Sequence, residues 1–163
     1  MVYDFGLLKG TVKDFLDGFD HAVLFWEKET PAYKAMMKSQ SRRWISMPVS
    51  PTAEQLSRVI FVAVQSLLDD TERANGDSSA RVHSVILHET ETGYAQCFRR
   101  DAYDEGMGVI DLERMIFSSA VKDAWRDRKM WDKLLRGKKF VNPKPEIQIP
   151  GKFSRRSAAR RPR

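Results

Sequence analysis

Residues 52–68 constrain the fold of this chain more than any other segment. Leu56, Val59, Ile60, Ala63, Val64, Leu67 and Leu68 fall at i, i+3, i+4, i+7, i+8, i+11 and i+12, the recurrence of one side of an α-helix. Thr52 is a good N-cap with Pro51 just before it, and Gln55 lies three residues on, as in a capping box. The stripe commits this segment to a helix with one long apolar face. A polar stretch from Asp69 to Ser79, with Asn75-Gly76 inside it, ends the element.

The flanking segments are shorter and of mixed kind. Asp4 stands where an N-cap belongs, and Phe5, Leu8, Val12, Phe15, Leu16 and Phe19 recur at helical spacing. Gly18 marks the end of that helix as a C-terminal glycine would, so Asp20 and His21 lie just beyond it. Residues 26–50 read as irregular, with room for a short strand at Trp44, Ile45, Met47 and Val49. Val82 to His88 is rich in β-branched residues, Thr92-Gly93 is a turn signal and Tyr94 to Phe98 reads as the partner strand, which predicts a β-hairpin over 82–99. Asp111 is placed to cap a third helix, with Leu112, Met115, Ile116 and Ser119 on one side, running to about Leu135. From Arg136 onward Pro, Lys and Arg dominate and no period survives, which predicts a disordered tail.

At 163 residues the chain suits one domain with a tail, and an apolar fraction of 42% is enough for a true core. No window approaches the roughly 20 apolar residues of a membrane span, and the N-terminus lacks the charged-then-apolar order of a signal peptide. One cysteine, Cys97, cannot form an internal disulfide, so a cytoplasmic location is the expectation. The net charge of +6 is unevenly spread: residues 136–163 carry ten Lys or Arg against one acid, Glu146, while residues 1–135 carry 18 basic and 21 acidic residues. Such a tail suits contact with an anionic partner, and equally a solubilising segment. Phe140 and Phe153 are its only aromatics, so the signal for a nucleic-acid module is weak.

Two places carry candidate chemistry. Asp20-His21 sets an acid beside an imidazole, where the carboxylate can hold one ring nitrogen and raise the basicity of the other. A surface or capping histidine fits the same residues. Glu89 continues the face of His83, Val85 and Leu87 at the end of a strand. A carboxylate there can accept two N–H bonds from a flat amino-heterocycle, or it is an exposed acid before the turn. His83 and His88 are five apart, so a regular strand points them to opposite faces, and with Cys97 they form no convincing ligand trio. Cys97 reads as a buried small residue. There is no Gly-rich phosphate loop and no Gly-x-Ser-x-Gly elbow.

Taken in order, four blocks resemble one family. Met1-Val2-Tyr3-Asp4-Phe5 with Leu8-Lys9 resembles a "M-V-x-D-F-x-x-L-K" helix entry. Phe19-Asp20-His21-Ala22-Val23-Leu24 resembles an "L-D-H-x-x-L-N" block, and Pro51-Thr52-Ala53-Glu54-Gln55-Leu56 a "P-T-x-E-N-L-A" helix start. Val85-Ile86-Leu87-His88-Glu89-Thr90 resembles a "V-x-V-x-E-T" strand, with Tyr94-Ala95 opening the next. The family is that of the 6-pyruvoyl-tetrahydropterin and 6-carboxytetrahydropterin synthases, and the resemblance spans about residues 1–100. It implies an α+β class and the tunnelling fold, an antiparallel sheet with two helices on one face, assembled as a homo-oligomer with active sites between subunits. It implies that Asp20 and His21 relay protons, and that Glu89 anchors a pterin ring with Thr90 and Thr52. The implied substrate is 7,8-dihydroneopterin triphosphate, and the bacterial branch makes 6-carboxy-5,6,7,8-tetrahydropterin on the way to 7-deazaguanine and queuosine. The implied cofactor is zinc, a Lewis acid beside the carbon that loses its proton.

The chain departs from the pattern at the metal. The family's zinc is held by three histidines, one on a first strand and two in a His-x-His on a second, with a catalytic cysteine between. All of these precede the block that Met1–Phe5 resembles. None of His21, His83 and His88 matches a ligand position, so no metal ligand is assigned, and Phe25 stands where the family often has Asn. The expectation is a fold that is incomplete at its N-terminus, with Met1 an internal methionine of a longer protein, the other reading being a short form without the first hairpin. The expected organisation is a tunnelling-fold part at 1–100, a helical extension at 101–135 and a basic tail at 136–163. A pterin synthase-like lyase is the leading expectation. A non-catalytic pterin-binding or subunit-forming homologue and an anionic-partner binder are the others.

Overall fold

A computed structural model of the chain describes residues 8–72 and 80–141. The expected cap at Asp4, the Asn75-Gly76 turn and residues 142–163 of the expected tail lie outside the described residues; the first part of that tail is not disordered, since Phe140–Val141 form a strand and Phe140 is buried. The first described element is a wide turn at Leu8–Val12, broken at Gly10, which runs into helix α1, Lys13–Asp17. Gly18 ends it as expected, but for a different reason. Its φ is −58°, so no left-handed turn is needed. A Cβ there would meet the Phe15 carbonyl at 2.9 Å and Val121 Cγ1 at 3.2 Å, so glycine is required by close approach.

Strand β1, Val23–Trp26, follows, then helix α2, Pro31–Gln40, and strand β2, Trp44–Met47. The segment read as irregular holds α2 and the short strand expected near Trp44, and with β1 just before it they form a β–α–β unit: β1 and β2 are parallel, pairing Val23 with Trp44 and Trp26 with Met47. Parallel neighbours need a crossover, and α2 supplies it. Thr30 caps α2 by accepting from the Tyr33 amide at 3.2 Å, with Pro31 at the first helical position. None of its residues is buried, which is why no apolar stripe announces it.

Helix α3, Ala53–Asp69, is the expected long helix. Thr52 Oγ1 accepts from the Gln55 amide at 3.3 Å. The reciprocal half of the capping box is missing, because the Gln55 side chain turns instead to Met107 and Arg58. The helix is buried on more than the predicted stripe. Val59, Ala63, Val64, Leu67 and Leu68 join one cluster, while Phe61 and Val62 join a second with Cys97 and Ala102. Arg58, only 1% exposed, spends its guanidinium on the 101–108 segment, donating to the carbonyls of Asp101, Met107, Asp104 and Gly108 at 2.7–2.9 Å.

The hairpin forms where expected, as strands β4, Ser84–His88, and β5, Tyr94–Phe98, antiparallel with Ile86 opposite Gln96. It packs on α3 through Val85 and Cys97, and its other face is open: Ile86 is 51% and Tyr94 60% exposed. Two short pairs complete the sheets. Strand β3, Thr71–Glu72, runs parallel to β7, Phe140–Val141, and β6, Ile116–Phe117, runs antiparallel to β2. The class is α+β, with small antiparallel sheets beside the two parallel pairs.

The continuous helix expected at 111–135 is not formed. Asp111 does act as a cap, accepting from the Glu113 amide at 3.0 Å, but of a single tight turn, Leu112–Arg114. Strand β6 then intervenes, and helices α5, Ser119–Lys122, and α6, Met130–Leu135, come after it, with the short helix α4 earlier at Arg99–Ala102. Strand β6 wins because it carries Phe117 into the core. The Phe117 ring meets Trp125 and Trp131, each at 4.9 Å, and Trp131 stacks on Phe15 at 5.7 Å. Each such buried side chain contributes about 1.5–3 kcal/mol. Met115, Val121, Met130 and Leu134 lie in the same core cluster as Val59 and Ile45.

Candidate active site

The turn after α1 is built by short-range bonds. The Gly18 amide donates to the Asp14 carbonyl at 3.2 Å, Asp20 to Asp17 at 3.2 Å and Ala22 to Phe19 at 3.1 Å. These leave His21 at φ +51°, the only non-glycine residue with positive φ among the described residues. A side chain with a Cβ in that region costs about 1–3 kcal/mol and persists only where its surroundings fix it. The His21 imidazole is 90% exposed, and its Nε2 lies 3.7 Å from Asp20 Oδ1. That is longer than a hydrogen bond. The two groups are neighbours as the sequence implies, but the carboxylate does not hold the ring.

His21 edges an open depression of about 660 Å³, shared with Gln40, Ser41, Arg42, Arg43, Ala120 and Asp123. The floor is set by the loop between α2 and β2 meeting the start of α5. Asp123 is paired with Arg128 at 2.9 Å. Arg43 is the residue that reading the sequence missed. Its Nε donates to the Asp20 carbonyl at 2.9 Å and its Nη2 to the Asp17 carbonyl at 2.9 Å. A longer bond runs from Nη1 to the Ala120 carbonyl at 3.4 Å. An arginine within the segment read as irregular carried no signal of this, because the contact depends on the β1–β2 register.

Glu89 and Thr90 sit in the hairpin loop, one and two residues past the end of β4. The Glu89 amide donates to the Gly93 carbonyl at 3.0 Å, and the Glu89 carboxylate has no partner among the described residues. Thr90 Oγ1 accepts from the Gly93 amide at 2.8 Å, so that hydroxyl shapes the turn. Thr52 is the N-cap of α3, as described. The structure brings Asp20 and His21 together and likewise Glu89 and Thr90. No hydrogen bond or ion pair among the described residues joins the first pair to the second or to Thr52.

The donors that remain do not fit a zinc site. His83 stands one residue before β4, so strand alternation does not govern it, and its ring meets Phe98 at 5.8 Å. The His88 ring lies 5.7 Å from that of Tyr94. Cys97 is buried against α3, and burial, then the charge of Asp101, push its thiol from 9.0 up to about 11, the reverse of what a thiolate ligand needs. Among the described residues no three His, Cys, Asp or Glu side chains are grouped to hold an ion. None of the described helices is long and apolar enough to cross a membrane.

The family model described as 6-pyruvoyl tetrahydropterin synthase matches residues 1–100. Two relatives, each named 6-carboxy-5,6,7,8-tetrahydropterin synthase, come from Helicobacter pylori strains J99 and 26695. They are 29% and 28% identical over 153 residues, which is 92% of this chain and 76% of each relative. Similarity to them therefore continues past residue 100, where the motif blocks stop.

Proposed function

Taking as premise that this chain belongs to the 6-pyruvoyl tetrahydropterin synthase family, we propose that it works as a 6-carboxytetrahydropterin synthase-like lyase on 7,8-dihydroneopterin triphosphate, within 7-deazaguanine and queuosine synthesis in the cytoplasm. The observation that carries this reading is His21, held at φ +51° with its imidazole open to solvent beside Asp20. Strain kept at an exposed acid–base group is a mark of function. In this reading His21 moves the proton and Asp20 stabilises the charged imidazole. Glu89, whose carboxylate has no partner among the described residues, accepts from the pterin ring, with Thr90 shaping the loop and Thr52 assisting. These groups meet across a subunit boundary: the hairpin loop of one copy completes the depression of another. The open hairpin face, with Ile86 and Tyr94 exposed, supports self-association. Zinc is the family's expected metal, and the described donors do not fit it.

Fluorescence titration of the full chain with neopterin tests the pocket. Glu89→Gln weakens binding about ten- to a hundred-fold, the loss of charge-assisted hydrogen bonds. Equal affinity for both forms removes Glu89 from the site. With 7,8-dihydroneopterin triphosphate supplied, His21→Ala lowers turnover by about two orders of magnitude or more. The misfit at the metal favours a second reading, a non-catalytic pterin-binding subunit, which predicts the binding result without turnover.

A further inference from the structure

We infer that Arg43 is a positioning residue for the Asp20–His21 pair, holding the chain on both flanks of His21. On one flank its Nε donates to the Asp20 carbonyl at 2.9 Å. On the other its own carbonyl accepts from the Val23 amide at 2.9 Å, the first bond of the β1–β2 pairing. Its Nη2 adds the carbonyls of Asp17 at 2.9 Å and Gly18 at 3.3 Å, at the end of α1 where carbonyls lack helical partners. The Arg43 amide is itself fixed by Ser41 Oγ at 3.0 Å. One rigid fork thus joins the end of α1, the residue before His21 and, through Ala120, the start of α5.

The consequence follows from backbone geometry. A left-handed histidine relaxes to an ordinary conformation unless both neighbours are pinned. Relaxation swings the imidazole through a large angle, away from the depression it edges. The short bonds of the turn itself, Asp20 to Asp17 and Ala22 to Phe19, are those any loose turn can make and break. Arg43 ties this turn to two other elements by side-chain hydrogen bonds. The inference rests on the reading of His21 as a functional group, and it assigns Arg43 no contact with substrate.

The test uses the full chain in four forms besides the native one: Arg43→Gln, Arg43→Lys, His21→Ala and, as a control cation in α4, Arg100→Gln. A strong intraresidue amide-to-Hα NOE at His21 reports positive φ and needs no turnover. It is expected in the native chain and in Arg100→Gln, weak in Arg43→Lys and lost in Arg43→Gln. In turnover of 7,8-dihydroneopterin triphosphate, Arg43→Gln lowers kcat about ten-fold or more while KM stays within about two-fold, and Arg43→Lys recovers part of the loss. An intact NOE with unchanged kcat in Arg43→Gln overturns the inference, as does a lost NOE with unchanged kcat. If Arg43→Gln does not fold, Arg43→Lys is read by the same two criteria. Full turnover in His21→Ala removes the underlying reading instead, whatever Arg43 does to the NOE.

Discussion

A Cβ placed on Gly18 would stand 3.2 Å from Nε1 of Trp125. Residues 107 positions apart in sequence are thus packed until no side chain fits between them, and the C-terminal third of the described chain is part of the core that holds α1. Gly18→Ala is expected to destabilise the fold by about 1–3 kcal/mol through overpacking. The backbone there is ordinary, so the cost is steric alone. Urea unfolding that shows Gly18→Ala as stable as the native chain would contradict this packing.

Arg58 is the second site of large expected effect. Its guanidinium is buried, and its hydrogen bonds run to carbonyls of the 101–108 segment and to Gln55 Oε1 at 2.8 Å. Arg58→Met removes the donor those carbonyls share, with an expected loss of about 1–3 kcal/mol. Arg58→Lys recovers little, because an ammonium cannot reach a fan of acceptors. The reading is a drop in urea midpoint, together with new proteolytic cleavage between residues 101 and 111.

The Cys97 thiol provides a pH signature. Its pKa is raised from 9.0 to about 11 in the folded chain, so folding favours the neutral thiol. The associated stability is whole below pH 9 and disappears as pH climbs through about 11. The difference in stability between the native chain and Cys97→Ala should therefore shrink across that window. At neutral pH the thiol should resist Ellman's reagent until the protein is unfolded; fast labelling of the native protein is the contrary result.

A site shared between copies makes a prediction about mixtures. His21→Ala and Glu89→Gln chains are each impaired alone. Unfolded together and refolded, they form some pockets with both native groups, and pterin turnover partly returns. Mixtures no better than the mean of the two variants speak for a site within one chain.

What the sequence discloses here depends on how far apart the interacting residues are. Helix α3 is legible because its stripe and its Thr52 cap are local, and the β4–β5 hairpin because its alternation and turn lie within 82–99. Helix α2 escapes notice since its whole surface is at least partly exposed. The 111–135 region is misread because Leu112, Met115 and Ile116 do recur as a helix would, while the winning interaction is β6 against β2, across some 70 residues. The second buried face of α3 is hidden behind Arg58 and Gln65, polar residues that are buried only because carbonyls of distant segments and the Val82 amide meet them. At the candidate site the position of Asp20-His21 past a helix end is local and readable. The conformation of His21 and the clamp of Arg43 are not, since both arise from strands that pair in space.

The pairing of Thr71–Glu72 with Phe140–Val141 moves the natural edge of the folded unit. Phe140 donates its amide to the Asp70 carbonyl at 2.8 Å and seats its ring in the core, and Lys139 reaches the Asp69 carbonyl at 3.2 Å. A shortened version trimmed at the compositional border near residue 136 would pull a stopper from the end of α3. Anyone preparing a minimal fragment, or fusing a tag, does better to cut beyond Val141.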